Sequence, residues 1–123
     1  MGSTAPPYDE LTLLVDQLLT ARAEGAEPDP AAISIAVRGL TALLAATAPG
    51  RSVEVRVPPY AAVQCVAGPR HTRGTPGATV EADPWAWLAV ATGRLSWAEA
   101  VASGSVRTSG ARADLSALMP LLD

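Results

Sequence analysis

The period of the apolar residues first changes along this chain at Pro49-Gly50. Before that point, apolar residues recur every three to four positions, as on one face of a helix. After it, Val53, Val55 and Val57 alternate with polar residues, as in a strand with one solvated face. A chain that carries both periods is neither all-α nor all-β. The pattern therefore predicts an α+β layer fold in which helices cover a sheet.

The first fifty residues predict a helical hairpin. Its first helix covers residues 8–24, with a stripe of Leu11, Leu14, Val15 and Leu18. Its second helix starts at Asp29-Pro30, a capping residue followed by proline, and has a stripe of Ile33, Val37, Leu40 and Leu44. Such apolar faces do not stay exposed, so we expect the hairpin, residues 8–48, to pack on residues 51–122 within a single domain, 1–123.

The remaining elements are short and are separated by glycine and proline. Asp83-Pro84 repeats the cap-plus-proline signature, and Ser96-Trp97-Ala98-Glu99 reads as a capping box. Strands are predicted over residues 53–57, 60–67, 78–82 and 105–109, and helices over residues 85–92, from Ser96 to Gly104, and 113–122.

Composition excludes several kinds of chemistry. None of the nine basic residues is lysine, which excludes a Walker A loop and Schiff-base catalysis. A single histidine and a single cysteine exclude a zinc site rich in these residues. No pair of acids has a spacing that asks for acid/base catalysis. We therefore expect a protein that is not an enzyme and that has no metal and no cofactor.

The sequence also predicts the cellular compartment and excludes some kinds of partner. The lone Cys65 cannot form an internal disulfide, so a reduced cytoplasm is expected. The N-terminus lacks the pattern of a signal peptide, and the longest uncharged stretch, Val57 to Pro69, is too short to span a membrane. The net charge of −3, without a basic face, argues against nucleic acid as a partner.

From Arg51 to Leu122 the order of strands, short helices and glycines resembles the sterol carrier protein type 2 family, and most of all its bacterial, actinobacterial orthologue branch. Upstream, the resemblance includes the strand from Arg51 to Tyr60 and the loop Gly68-Pro69-Arg70-His71-Thr72-Arg73-Gly74. Downstream, it is carried by Asp83-Pro84-Trp85-Ala86-Trp87-Leu88, Thr92-Gly93-Arg94-Leu95, Ser96-Trp97-Ala98-Glu99-Ala100, Ser103-Gly104 and Ser109-Gly110.

The resemblance implies a twisted, mainly antiparallel sheet covered by helices, with room for a sterol, fatty acid or acyl-CoA-like lipid between the layers. Helical spacing gives the residues that would line such a site. They are Trp87, Leu88 and Ala91 on the short helix and Leu115, Leu118, Met119 and Leu122 on the C-terminal helix. The same spacing also fits a plain filled core.

Three further groups of residues have two interpretations each. Arg70, His71 and Arg73 form the most concentrated positive charge, which fits either a contact with a lipid headgroup or another anion, or a solvated loop. Cys65 is six residues from His71, but its apolar strand neighbours favour a core residue over a nucleophile. Trp97 either packs the two short helices together or lies at a cavity mouth. For Asp83, an N-cap role explains the carboxylate.

Together these observations predict a non-enzymatic carrier for a hydrophobic small molecule. The alternative is a protein-interaction or regulatory module of the same fold with a filled core, which docks a partner through the hairpin or the Arg70–Arg73 loop. The sequence leaves a homodimer open.

Overall fold

The computed structural model describes residues 8–68 and 77–122. The helices are α1 (Tyr8–Ala23), α2 (Pro30–Thr47), α3 (Pro84–Ala91) and α4 (Trp97–Ser103). The strands are β1 (Val53–Val57), β2 (Ala61–Cys65), β3 (Ala78–Ala82) and β4 (Val106–Ser109), and a 3₁₀ turn follows at Ser116–Leu118. Within these residues, the order of helices and strands confirms the α+β class.

The four strands form one mixed sheet in the order β2-β1-β3-β4. The β1–β2 and β3–β4 pairs are antiparallel, and the central β1–β3 pair is parallel. Val55 lies opposite Val63 on one side and opposite Val80 on the other. With two antiparallel pairs out of three, the sheet is mainly antiparallel, as expected.

One face of the sheet is buried and the other is solvated. The alternating residues Val53, Val55 and Val57 are fully buried, while Glu54 between them is half-buried and Arg56 is exposed. Strand geometry causes this division, because successive side chains point to opposite faces. The helices therefore cover a single face, and any site between layers has to lie there.

Helix α2 forms the centre of the covering layer. Its predicted stripe is buried, with Val37, Leu40 and Leu44 at 0% exposure and Ile33 at 8%. The side chain of Asp29 accepts a hydrogen bond from the backbone N–H of Ala31 and caps the first turn. By length and composition alone α2 could cross a membrane. Its buried stripe packs with the strand valines in one core cluster, as in a helix that covers a sheet.

Helix α1 packs beside α2 and reaches α3. Leu11, Val15 and Leu18 are its buried residues. At its C-terminal end the guanidinium of Arg22 lies 4.5 Å from the ring centre of Trp85, and farther back Asp16 pairs with Arg94. Both polar contacts are largely exposed and contribute little, so the buried leucines and valine hold α1 in place.

Strand β2 ends earlier than the prediction of residues 60–67. After Cys65 the backbone of Val66 turns to a φ of +66°. A Cβ atom at Gly50 would overlap the Val66 carbonyl, so the chain can pass this closely only at glycine. The N–H of Val66 donates to the carbonyl of Ala48 at 2.6 Å, and its carbonyl accepts from Ser52. This crossing of two connections ends the strand.

The predicted C-terminal helix over residues 113–122 is wrong. Only the 3₁₀ turn at Ser116–Leu118 forms, and the chain then runs extended through Met119. Pro120 supplies the reason: it cannot donate the hydrogen bond that a helix needs, and it disfavours the helical conformation of the residue before it. The spacing of the leucines indicated a helix to residue 122, and Pro120 prevents a helix from running through Met119 to Leu122.

The two predicted caps in the second half have different outcomes. Ser96 and Glu99 form the capping box, with the Glu99 N–H donating to the Ser96 hydroxyl at 3.1 Å and the Ser96 N–H donating to the Glu99 carboxylate. Asp83 occupies the N-cap position of α3, but its side chain makes no capping hydrogen bond. The capping role expected for the Asp83 carboxylate is therefore wrong, although Pro84 still starts the helix.

Candidate functional site

Helix α3 directs its predicted residues into the core. Trp87, Leu88 and Ala91 each have 0% exposure, whereas Trp85 is half-buried beneath Arg22. The helix is short and almost wholly apolar, and it starts at Pro84 directly after β3. The strand and the proline together fix which of its faces points inward.

The C-terminal segment reaches the same core without being a helix. Leu115 and Leu122 are buried at 2% and 1% exposure, while Leu118 and Met119 are partly buried and pack on the core cluster. The 3₁₀ turn and the extended backbone after it, and not an α-helix, place these side chains against the core. The segment therefore brings two deep and two half-covered apolar side chains to one end of the layer.

Two backbone hydrogen bonds hold this segment on α3. The N–H groups of Leu121 and Leu122 both donate to the carbonyl of Ala91, at 2.8 and 3.0 Å. Ala91 is the last residue of α3, where helical carbonyls lack partners within the helix. The C-terminal segment thus satisfies a free helix end, and residues 84–91 and 113–122 form one layer against the core.

The indole of Trp87 carries a polar group that lacks a hydrogen-bond partner in this layer. Its Nε1–H is buried and has no hydrogen-bond acceptor among the described residues. A buried donor left without a partner costs about 1–3 kcal/mol, and buried tryptophan N–H groups generally find an acceptor. Sequence reasoning singled out Trp87 for its apolar face and missed this donor, although a tryptophan on a buried helix face was the available signal.

Cys65 is placed as a core residue. Its side chain is buried at the end of β2, and desolvation raises the pKa of the thiol above its ordinary value. A raised pKa keeps the sulfur protonated and therefore poorly nucleophilic. His71, the partner that a cysteine nucleophile would need, lies outside the described residues, as do Arg70 and Arg73 of the expected anion contact.

Two of the acids near the ends of the short helices, Asp114 and Glu99, are placed as structural groups. Asp114 opens the 3₁₀ turn and accepts a hydrogen bond from the Ser116 N–H at 2.9 Å; hydrogen bonding to the Ser116 side chain, and then to this N–H, lowers the pKa of its carboxyl. Glu99 belongs to the capping box of α4. Over residues 8–68 and 77–122, histidine, cysteine and carboxylate side chains form no group of three that could hold a metal ion.

A separate surface groove of about 450 Å³ lies between α4 and the end of β4. Trp97, for which the sequence left two roles open, is half-buried and lines it. None of the seven predicted lipid-lining residues does. The groove is bounded by Trp97, Ala98, Val101, Ala102, Thr108, Gly110, Ala111, Ala113 and Asp114.

The order of elements and this layered architecture have a counterpart among known families. A family model described as bacterial SCP ortholog, where SCP denotes sterol carrier protein, matches residues 29–121. The chain belongs to this family. The match confirms the resemblance seen in the sequence and extends it upstream to Asp29, the N-cap of α2.

Within the family unit, the matched range holds α2, the whole sheet, α3, α4 and the C-terminal segment. Helix α1 precedes the range and packs on it. No curated protein matches the chain.

Proposed function

We propose that this bacterial SCP ortholog is a non-enzymatic carrier that binds a sterol, a fatty acid or an acyl-CoA-like lipid between α3 and the C-terminal segment. The observation that carries the proposal is the unpartnered indole N–H of Trp87 inside an apolar layer. Family membership supports the lipid class.

The chemistry of the layer suits a lipid with one polar end. Its walls are the apolar side chains of α3 and of residues 113–122, which favour hydrocarbon over water. Among the described residues, the buried side-chain group that lacks a partner is the Trp87 N–H, which can donate a hydrogen bond but cannot accept one. A hydroxyl, carbonyl or carboxylate oxygen of the guest would supply the missing acceptor and relieve the cost of the buried N–H.

The C-terminal segment provides the way in. Apart from the 3₁₀ turn it has no regular secondary structure, and two hydrogen bonds to Ala91 tie down its end. Leu118 and Met119 are already half-exposed there. Parting its end from α3 breaks the two hydrogen bonds to Ala91 and leaves the strand pairing intact, and the flexible thioether of Met119 can adapt to guests of different shape.

The remaining features fit a carrier that does no chemistry and works in a reduced cytoplasm. The Cys65 thiol is buried and protonated, and Glu99 and Asp114 are engaged in capping. The Arg70, His71 and Arg73 loop remains the proposed contact for a lipid headgroup.

A second candidate is an interaction module of the same fold with no lipid ligand. The observation that favours it is the complete burial of Trp87, Leu88 and Ala91, which is what a filled core produces. Native mass spectrometry of the purified protein separates the two candidates: co-purifying lipid supports the carrier, and a bare monomer or tight dimer supports the module.

The direct test is a titration of delipidated protein with stearate carrying a fluorescent group, followed by displacement with oleate, oleoyl-CoA and cholesterol. We expect saturable binding at micromolar concentration. Trp87→Phe keeps an aromatic ring but removes the N–H donor together with the pyrrole part of the indole, so affinity for oleate should fall about two- to tenfold, the worth of one hydrogen bond. Trp85→Phe, on the same helix but half-buried, is the matched control and should leave affinity unchanged.

A saturated hydrocarbon of equal length controls for packing. Because it has no hydrogen-bond acceptor, it should bind the wild type and Trp87→Phe with equal affinity. Circular dichroism and thermal unfolding establish that each variant is folded. If folded, delipidated protein gives no saturable response to acyl, acyl-CoA or sterol ligands, the carrier proposal fails and the interaction module replaces it.

A further inference from the structure

Strand β4 is an edge of the sheet. It pairs with β3 through Ser109, Thr108, Arg107 and Val106, and no strand of the described residues pairs with its other side. An unpaired edge presents backbone N–H and C=O groups that can accept another strand. β4 also lacks proline, which would block such pairing.

The groove described above runs beside this edge. Val106 and Thr108 alternate with Arg107, so they point to the helix-covered face, where Val106 is buried and Thr108 is exposed in the groove. Across from Thr108, Trp97 and Val101 lie one turn apart on α4. A strand added to β4 would therefore direct every second side chain between α4 and the sheet.

The groove has the size and the chemistry for side chains. Its volume of about 450 Å³ falls within the range of ligand sites. Its lining is mainly apolar, with the ring of Trp97 half-buried and Val101 37% exposed. An exposed valine beside a tryptophan offers apolar contact that the described chain leaves uncovered.

One carboxylate gives the groove its charge. Asp114 accepts a hydrogen bond from the Ser116 N–H, and none of the salt bridges among the described residues involves Asp114. The hydrogen bond to Ser116 lowers the pKa of Asp114, so the group is ionised at neutral pH. Of the two arginines near Asp114 in the sequence, Arg112 has its guanidinium beside Gly68, and Arg107 pairs with Glu81 on the solvated face. Among the described residues, therefore, no salt bridge neutralises the negative charge that Asp114 brings to the groove.

We infer that this edge binds an extended peptide segment of a partner protein, which adds as a strand to β4, places apolar side chains against Trp97 and Val101, and sets an arginine or lysine on Asp114. Main-chain hydrogen bonds along β4 supply affinity, and the alternate side chains supply specificity. This site is separate from the proposed lipid layer, and the inference does not depend on it.

A second copy of the chain is a poorer occupant than such a peptide. Its own β4 would bring only Val106 and Thr108 to the groove face, and neither neutralises Asp114. A two-fold pairing centred on Arg107 would also set like charges opposite each other, which is destabilising. The groove thus asks for a sequence that places leucine-like and basic residues on one strand face, and β4 does not.

The test uses a fluorescein-labelled peptide Ser-Leu-Thr-Arg-Thr-Leu-Ser, whose two leucines and arginine share one face of a strand. Fluorescence anisotropy with the full-length protein should give saturable binding in the micromolar range. The peptide with glutamate in place of arginine, and the peptide N-methylated along its backbone, should each bind several-fold more weakly.

Protein variants locate the binding. Ala98→Trp fills the groove and should weaken binding at least tenfold, with Ala102→Trp in reserve if the first variant does not fold. Asp114→Asn keeps the acceptor for Ser116 and removes the charge, so the arginine peptide should bind about two- to fivefold more weakly, the worth of an exposed ion pair. The matched control Asp9→Asn, an exposed acid on α1, should bind like the wild type.

Three results would overturn the inference. The first is no saturable binding up to millimolar peptide. The second is equal binding of the arginine, glutamate and N-methylated peptides, or binding that survives both groove-filling variants. The third is a wild-type dimer in sedimentation that Ala98→Trp converts to a monomer, because the groove would then be occupied by a second copy.

Discussion

Two apolar stripes of this chain have helical spacing and fold differently. In α2 the stripe of Ile33, Val37, Leu40 and Leu44 lies on an uninterrupted helix, Pro30–Thr47, and is buried along its length. In the C-terminal segment the stripe of Leu115, Leu118, Met119 and Leu122 lies on a 3₁₀ turn followed by extended chain, and only Leu115 and Leu122 are deeply buried.

Proline accounts for much of the difference. In α2, Pro30 stands at the first helical position, where its missing N–H is harmless, and the next proline is Pro49, beyond the last turn. In the C-terminal segment, Pro120 falls inside the predicted helix. The comparison teaches that spacing indicates which residues are buried, whereas the position of proline decides whether a helix carries them there.

The two regions also differ in how easily they should open to admit a ligand. The α2 stripe is continuous with the strand valines and should open only when the whole chain unfolds. The C-terminal segment is held by two hydrogen bonds to Ala91, by the buried Leu115 and Leu122, and by the partly buried Leu118 and Met119. The carrier proposal places its ligand in the second region because that region can part while the first stays intact.

The largest expected effect comes from removing residues 1–48. The truncation takes away α1 and α2 and exposes the buried face of the sheet, so we expect aggregation or the loss of cooperative thermal unfolding. Calorimetry and size-exclusion chromatography measure both. A truncated chain as soluble and as cooperative as the full one would break the comparison, and the hairpin would then be an oligomerisation arm.

A matched pair of leucine substitutions sharpens the comparison. Leu40→Ala removes a fully buried side chain from α2 and should lower the free energy of unfolding by about 2–5 kcal/mol. Leu118→Ala removes a half-buried one from the C-terminal turn and should cost about 1 kcal/mol. Urea denaturation measures both. Equal costs would mean that the two regions are equally firm and that the C-terminal layer has no special access.

A second pair of substitutions compares the N-cap residues of α4 and α3. Ser96→Ala breaks the capping box of α4 and should destabilise by about 0.5–2 kcal/mol. Asp83→Ala removes a carboxylate that makes no capping bond and should change stability by less than about 0.5 kcal/mol. Thermal unfolding of both variants side by side checks this. A larger loss for Asp83 than for Ser96 would show that the carboxylate has a role the structure does not give it.

The smallest expected effect is a pH dependence of the free energy of unfolding, caused by the buried Cys65 thiol at the end of β2. Burial raises the pKa of the Cys65 thiol in the folded chain above its ordinary value of 9.0, so the folded state holds the proton longer than the unfolded state. The resulting stability is present below that ordinary pKa and is lost as pH rises through the folded pKa. Stability of the wild type should therefore fall more steeply above pH 9.0 than that of Cys65→Ala. Parallel curves would contradict the buried, protonated thiol.

Much of the fold was predictable from local patterns. The hairpin, β1, β3 and the capping box follow from periodicity and from residues with defined roles at helix ends, and the structure has them where expected. The end of β2 was not predictable, because it depends on Val66 meeting Gly50 across the fold. The prediction of a C-terminal helix was wrong because leucine spacing alone does not account for Pro120, which lies inside the predicted range.

The site was predictable in part. Helical spacing identified Trp87, Leu88 and Ala91 as inward-facing residues, and all three are buried. The bare indole N–H depends on what surrounds Trp87 in three dimensions, and the groove at β4 depends on an edge strand whose partners only the sheet order reveals. Neither is encoded in the spacing of neighbours along the chain.

The most direct test of the carrier proposal is the indole N–H signal of Trp87. In a proton–nitrogen correlation spectrum of delipidated protein the three tryptophans give three indole signals, and Trp87→Phe identifies the one that matters. The account predicts that oleate shifts this signal downfield to saturation, as a new hydrogen bond forms, and that Leu118→Asp, in protein shown to be folded, abolishes the shift. A Trp87 signal that does not move at saturating oleate would contradict the account.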